Sequence, residues 1–184
     1  MRRARIAIVA AALALGGSLA AAPVLTADAQ SNTTPGDNAV LFAREAALGN
    51  MAEVRLGKVA QANAASEQVK QFAARMIADH SKADEQLRAV TTKKQIALPT
   101  DLDGVHRALL DKLSAMKATA FDIAYMDAML DDHTKTVAMF RQEADRGNDA
   151  ELKAYAASVL PTLEAHLKMA KQIDDSVKAP GPKN

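Results

Sequence analysis

The sequence predicts an all-α protein built as a four-helix bundle with an additional short crossover helix. Three observations carry that expectation. Hydrophobic residues make up 49% of the 184, yet aromatics contribute only 3% and alanine dominates, a composition that favours helix over strand. No segment alternates apolar and polar residues with period two over the length of a strand. Apolar residues instead recur at spacings of three and four in four long stretches, divided by short breaks and by one longer insertion.

The first helix is expected over 38–64, with Asp37 as its cap. Its stripe is Phe42, Ala46, Gly49, Glu53, Leu56 and Ala60, small enough in places for a neighbour to approach closely. Ser66 caps a second helix reaching Gln95, whose stripe is Val69, Ala73, Met76, His80, Ala83, Leu87 and Val90. Leu98-Pro99-Thr100-Asp101 breaks the chain, and a shorter helix follows over 102–116. The third long helix spans 119–146, and Gly147-Asn148 reads as a left-handed stop signal. The fourth covers 150–177, where Pro161 should kink it and free the carbonyl of Ala157. The insertion between the second and third long helices is similar to the long crossover of ferritin-like folds, so the bundle (38–177) is expected to be ferritin-like.

The first residues read as an export signal. Arg2, Arg3 and Arg5 form a basic start, residues 6–22 are almost wholly small and apolar, and Ala27-Asp28-Ala29 offers a cleavage site before Gln30. An uncleaved membrane anchor is the alternative, although the apolar run falls short of the roughly 20 residues a span needs. Residues 1–29 are therefore assigned to a cleaved signal peptide, 30–37 to a flexible lead-in and 178–184 to a disordered tail. The expected location is the periplasm or the outer membrane, with no transmembrane segment in the mature chain. Removing residues 1–29 takes away three arginines and one aspartate, which turns the formal charge from +1 to −1. A near-neutral surface argues against nucleic-acid partners, while envelope partners or self-association stay open. The chain has no cysteine, which excludes a lipoprotein anchor and disulfide staples.

Chemistry concentrates on histidine. Of four in the chain, His80, His133 and His166 each interrupt an apolar stripe. Measured from the turns near Ala65 and Asn148, Glu53, His80, His133 and His166 fall at similar heights, to within about 4.5 Å of rise. One carboxylate and three imidazoles can then meet in a central layer, a set suited to one divalent transition metal: Zn, Fe, Mn or Cu. Asp79, Asp84, Asp122 and Tyr125 are candidates to support it, with Asp84 placed four residues after His80 to orient that ring. The rival reading is a hydrogen-bonded polar layer that fixes bundle packing and binds nothing. A third is a pH-responsive bundle, since clustered imidazoles repel once protonated. Met76, Met129 and Met169, near the three rings in sequence, would add a bias towards copper, although methionine in a stripe is ordinarily core filler. His106 reads as a surface residue. There is no G-x-G-x-x-G, P-loop or H-E-x-x-H, and no nucleophile elbow, so a defined enzyme is not favoured.

Ala46-Ala47-Leu48-Gly49-Asn50-Met51-Ala52-Glu53, then Phe72 with Met76-Ile77-Ala78-Asp79-His80, resemble the opening of the bacterial domain-of-unknown-function family 4142. Leu98-Pro99, Phe121-Asp122 with Tyr125, His133, and Leu160-Pro161 with His166 continue the likeness, which covers residues 38–173. The resemblance implies a ferritin-like helical bundle with an export signal, found in the periplasm or outer membrane, and implies no particular reaction. Glu53, Asp79, His80, Asp122, Tyr125, His133 and His166 match the family pattern. No glutamate is followed by histidine three residues later, unlike established di-iron bundles, so a mononuclear site is favoured over a dinuclear one.

Overall fold

The computed structural model describes residues 36–179. The expected signal peptide, residues 30–35 of the lead-in and residues 180–184 of the tail lie outside them. Within the described residues the chain forms α1 (Asp37–Asn63), α2 (Glu67–Lys93), α3 (Gly104–Ser114), α4 (Ala118–Arg146) and α5 (Ala150–Lys178), with no strand. The four long helices make two antiparallel hairpins, α1/α2 and α4/α5, joined by the α3 crossover. α2 packs on α5 and α1 on α4 to close the bundle, and α3 lies against α1 and α4. None of the described helices is long and apolar enough to cross a membrane.

Helix ends depart from expectation in instructive ways. Gly36 occupies the N-cap of α1, and Asp37 is already its first helical residue, where its charge favours the helix dipole. Ser66 caps α2 without a side-chain bond. The Asp122 carboxylate on α4 holds the turn that leads into α2, accepting from the backbone N–H of Ala65 at 3.1 Å and of Ser66 at 2.8 Å. Gly147 does end α4, but at φ −56° rather than in the left-handed region. Any Cβ there would collide with the Glu143 carboxyl and carbonyl, so crowding rather than a positive φ calls for glycine. Helix α5 runs unbroken through Pro161. Asp149 caps it, accepting from the N–H groups of Glu151 and Leu152, and receives Lys94 Nζ at 2.8 Å.

The tight contact in the first hairpin falls at Gly57, not at Gly49. A Cβ at Gly57 would lie 2.8 Å from Ile77 Cγ1 and 3.1 Å from the Ala73 carbonyl oxygen, whereas one at Gly49 would meet nothing within 4 Å. Helix α1 therefore has one crowded glycine facing α2, outside the expected stripe, and one within the stripe facing open space.

The apolar core is divided. One half gathers Phe42, Ala46, Leu87, Val137, Phe140, Leu152, Val159 and Leu163. The other gathers Leu56, Phe72, Met76, Phe121, Tyr125, Met129 and Ala170. Along every long helix the changeover comes at a buried polar residue: Asn50 and Glu53 on α1, His80 on α2, His133 on α4 and His166 on α5. The layer expected from turn counting is present, and it lies between two hydrophobic halves.

Candidate metal centre

His133 and His166 are fully buried, and His80 is only 4% exposed. The three ring centroids form a near-equilateral triangle with sides of 5.7, 5.5 and 5.5 Å. One nitrogen from each ring lies within 4.8 Å of the other two. Ligands on a tetrahedral metal with about 2.05 Å bonds would sit about 3.4 Å apart, a contraction within reach of small ring movements.

Each ring is tied by one nitrogen. His133 Nδ1 donates to the Met129 carbonyl at 2.9 Å, and His166 Nε2 donates to Asp79 Oδ2 at 2.8 Å. His80 Nδ1 lies 3.0 Å from Asn50 Oδ1. The Asn50 amide nitrogen is directed at the Tyr155 hydroxyl, which leaves Oδ1 as the acceptor for His80. All three partners accept, so all three tied nitrogens carry the proton. His80 Nε2, His133 Nε2 and His166 Nδ1 are then lone pairs, buried and without any hydrogen-bond partner. Burial pushes all three rings below the ordinary histidine value, His133 to about 4. For His80 the neighbouring rings His133 and His166 add to the shift; for His166 the Asp79 bond opposes it. The rings are neutral at pH 7.

Glu53 stands beside this triangle rather than at a fourth corner equidistant from all three rings. It forms a second, overlapping triad with Asp132 and His133, again with one atom each within 4.8 Å. The Glu53 carboxyl is pushed well above its usual range, first by burial, then by the Asp132 charge and a hydrogen bond with Asp132. Its Oε2 has no partner. The Tyr125 hydroxyl is also buried without a partner, and burial, followed by the Glu53 charge, raises it. A cavity of about 20 Å³ opens among Gly49, Asn50, Glu53, His80, Asp132 and Thr136. That is room for about one water molecule or ion.

Of the supporting residues read from sequence, Asp79 orients His166 and Tyr125 lies near Glu53. Asp84 does not orient His80: its Oδ2 binds Arg88 at 2.7 Å, and Asn50 takes that role. Asp122 serves the α2 terminus, away from the rings. Among the methionines, Met169 Sδ accepts from Arg75 at 3.8 Å, while Met76 and Met129 fill the core half next to the layer. His106 is half-buried on α3 beside its capping residue Asp103, at 2.8 Å. Asn50 and Asp132 were not expected from sequence. The sequence carried only a partial signal: Asn50 lies three residues before Glu53 on the same helix face, which does not show that it reaches His80 on another helix, and Asp132, next to His133, points about 100° away from it round the helix.

The family described as "Domain of unknown function (DUF4142)" matches residues 22–173, a span holding every residue of both triads. The chain belongs to this family. No curated protein matches the chain. Among solved structures, the crystal structure of a DUF305 fragment from Deinococcus radiodurans is similar, with a TM-score of 0.69 at 13% identity. It covers 78% of this chain and 99% of that one, a likeness of fold alone. The DUF4142 chain thus shares a helical architecture with a second domain of unknown function, while its triads rest on its own geometry.

Proposed function

We propose that this DUF4142 protein is an exported bundle, acting in the periplasm or at the outer membrane, that holds one divalent transition metal on His80, His133 and His166. The observation that carries the reading is three buried ring nitrogens without a partner, on rings that each bring a nitrogen within 4.8 Å of the other two. A neutral ring nitrogen in the interior needs a donor or a cation, and leaving it bare costs about 1–3 kcal/mol. One water could fill the adjacent cavity, but it donates two hydrogens and would leave the third nitrogen bare. A metal ion satisfies all three together. The outward bonds to Asn50, Met129 and Asp79 are the kind that fix tautomer and orientation in metal-binding histidines.

Three imidazoles suit Zn, Fe or Cu better than Mg or Ca. The thioethers lend copper no support, since Met169 is engaged by Arg75. With space for little beyond one water, the site favours sequestration, storage or sensing over turnover of an organic substrate.

The test is metal titration of untagged, chelator-treated protein with Zn(II) and Co(II). One equivalent should bind, and His133→Ala and His80→Ala should lower affinity at least 100-fold while remaining helical. At free metal of 100 times Kd, unfolding stability should rise by about 2.7 kcal/mol. If both variants bind as wild type does, the histidines form a structural layer only.

A further inference from the structure

The triangle of rings is buried, so an ion needs a way in, and the α1–α4 seam supplies one. On α1, Glu45, Gly49 and Glu53 follow at intervals of four and share one face; on α4, Asp132 and Thr136 do the same. These five residues line the small cavity, whose inner wall includes His80. They grade from exposed Glu45, through half-buried Gly49, Thr136 and Asp132, to buried Glu53. Gly49 leaves the mouth open, because its absent side chain would have met nothing within 4 Å. Outside, Glu45 and Met139 belong also to a larger surface cavity of about 660 Å³ that runs on towards Glu143 and Gly147. At the inner end, Glu53 Oε2 is unpartnered and 98% of its residue surface is covered. His133 is common to the carboxylate triad and the ring triad.

Resting on the metal-binding reading above, we propose that Glu53 and Asp132 form a transit site through which a divalent cation passes from the α1–α4 seam to the three histidines. The cation is held first by the two carboxylates and His133. It then moves onto the ring triangle while His133 stays attached, so it exchanges carboxylate oxygens for two imidazoles without being bare in the interior. Because His133 has one free nitrogen, the two positions are alternatives, and the protein holds one ion at a time.

A transit site speeds passage in both directions and leaves the end states alone, and this separates it from a resident ligand. The experiment is stopped-flow mixing of metal-free, full-length protein with Co(II), followed by the visible absorption of the bound ion. Release is measured separately by chelator challenge. Glu53→Gln, Asp132→Asn and Gly49→Leu should each slow uptake and release about tenfold, with Kd within threefold of wild type. Gly49→Leu alters no charge and serves as the variant whose effect is blockage alone. Unchanged uptake in all three variants overturns the transit site while leaving the histidine site standing. Weakened Kd with unchanged uptake in Glu53→Gln makes Glu53 a resident ligand and also overturns it. Wild-type protein that takes up no Co(II) overturns the histidine site itself, and the transit site with it.

Discussion

At the scale of residues, the three buried rings are each tied at one nitrogen and left bare at the other. This has a pH signature in the metal-free state. The buried rings have folded values below 6.5, His133 at about 4, so the unfolded chain gains protons first as pH falls. Stability from the rings is complete above about pH 6.5 and is lost as pH drops through the folded values. Glu53 acts oppositely: its folded value is raised, so it contributes stability at low pH that is lost as pH rises through that value. In a Glu53→Gln background, which removes that opposing contribution, unfolding stability of metal-free protein should therefore fall between pH 6.5 and 4, by on the order of 3 kcal/mol from His133 alone at 1.36 kcal/mol per unit. Denaturant titrations of that variant at pH 7 and pH 5 that give equal stabilities would contradict this.

The residue scale also shows what could be read in advance. His80, His133 and His166 were legible because a ring at a core position violates the stripe and must find company. Asn50 was not, because its carbonyl oxygen takes Asp84's expected role from a different helix, and sequence spacing reports neighbours on one helix only. Asp132 was hidden by its half-exposed position, which gives an aspartate the pattern of a solvated face. Glu53 was placed at the correct height, but height alone does not say which rings a carboxylate sits between.

At the scale of elements, the boundaries were readable to within one or two residues for the long helices, and Ser66 and Gly147 stand at the ends expected of them, yet how those ends are held was not readable. One end is held from afar, since Asp122 on α4 binds the turn that leads into α2, whereas Asp149 caps α5 locally while binding Lys94 from the end of α2. Sequence rules place a cap within its own turn. Lys94 and Asp149 have side chains only 7% and 3% exposed, and Glu151 joins them at 2.9 Å. Burial alone would raise the Asp149 carboxyl, but its bonds to Lys94 and to the Leu152 and Glu151 backbone hold it below the ordinary range. Asp149→Ala removes a cap worth about 1 kcal/mol and strips a buried cation of a partner, so the expected loss is about 2–4 kcal/mol. Asp149→Asn keeps the cap and should recover roughly the first of these. Equal losses in urea titrations of the two variants would mean that the ion pair accounts for the whole effect.

At the scale of the whole molecule, the bundle was legible because four amphipathic stripes with short turns leave few alternatives. Which helices neighbour which was not, since stripes do not say whether α1 faces α4 or α5. The structure resolves it as two hairpins joined by the segment around α3. Each hairpin carries part of the layer: Asn50, Glu53 and His80 on one, Asp132, His133 and His166 on the other. Two co-expressed pieces, 36–96 and 97–179, should therefore associate, and together take up the one equivalent of Co(II) that neither binds alone. Full-affinity binding by the second piece would show that His80 is dispensable.

Division of the centre between two hairpins has a mechanical consequence. An ion held by both halves would act as a rivet across their common face, and anything that pried the halves apart by a few ångströms would dismantle the coordination while every helix remained folded. Metal content would then report docking of the halves rather than folding of either.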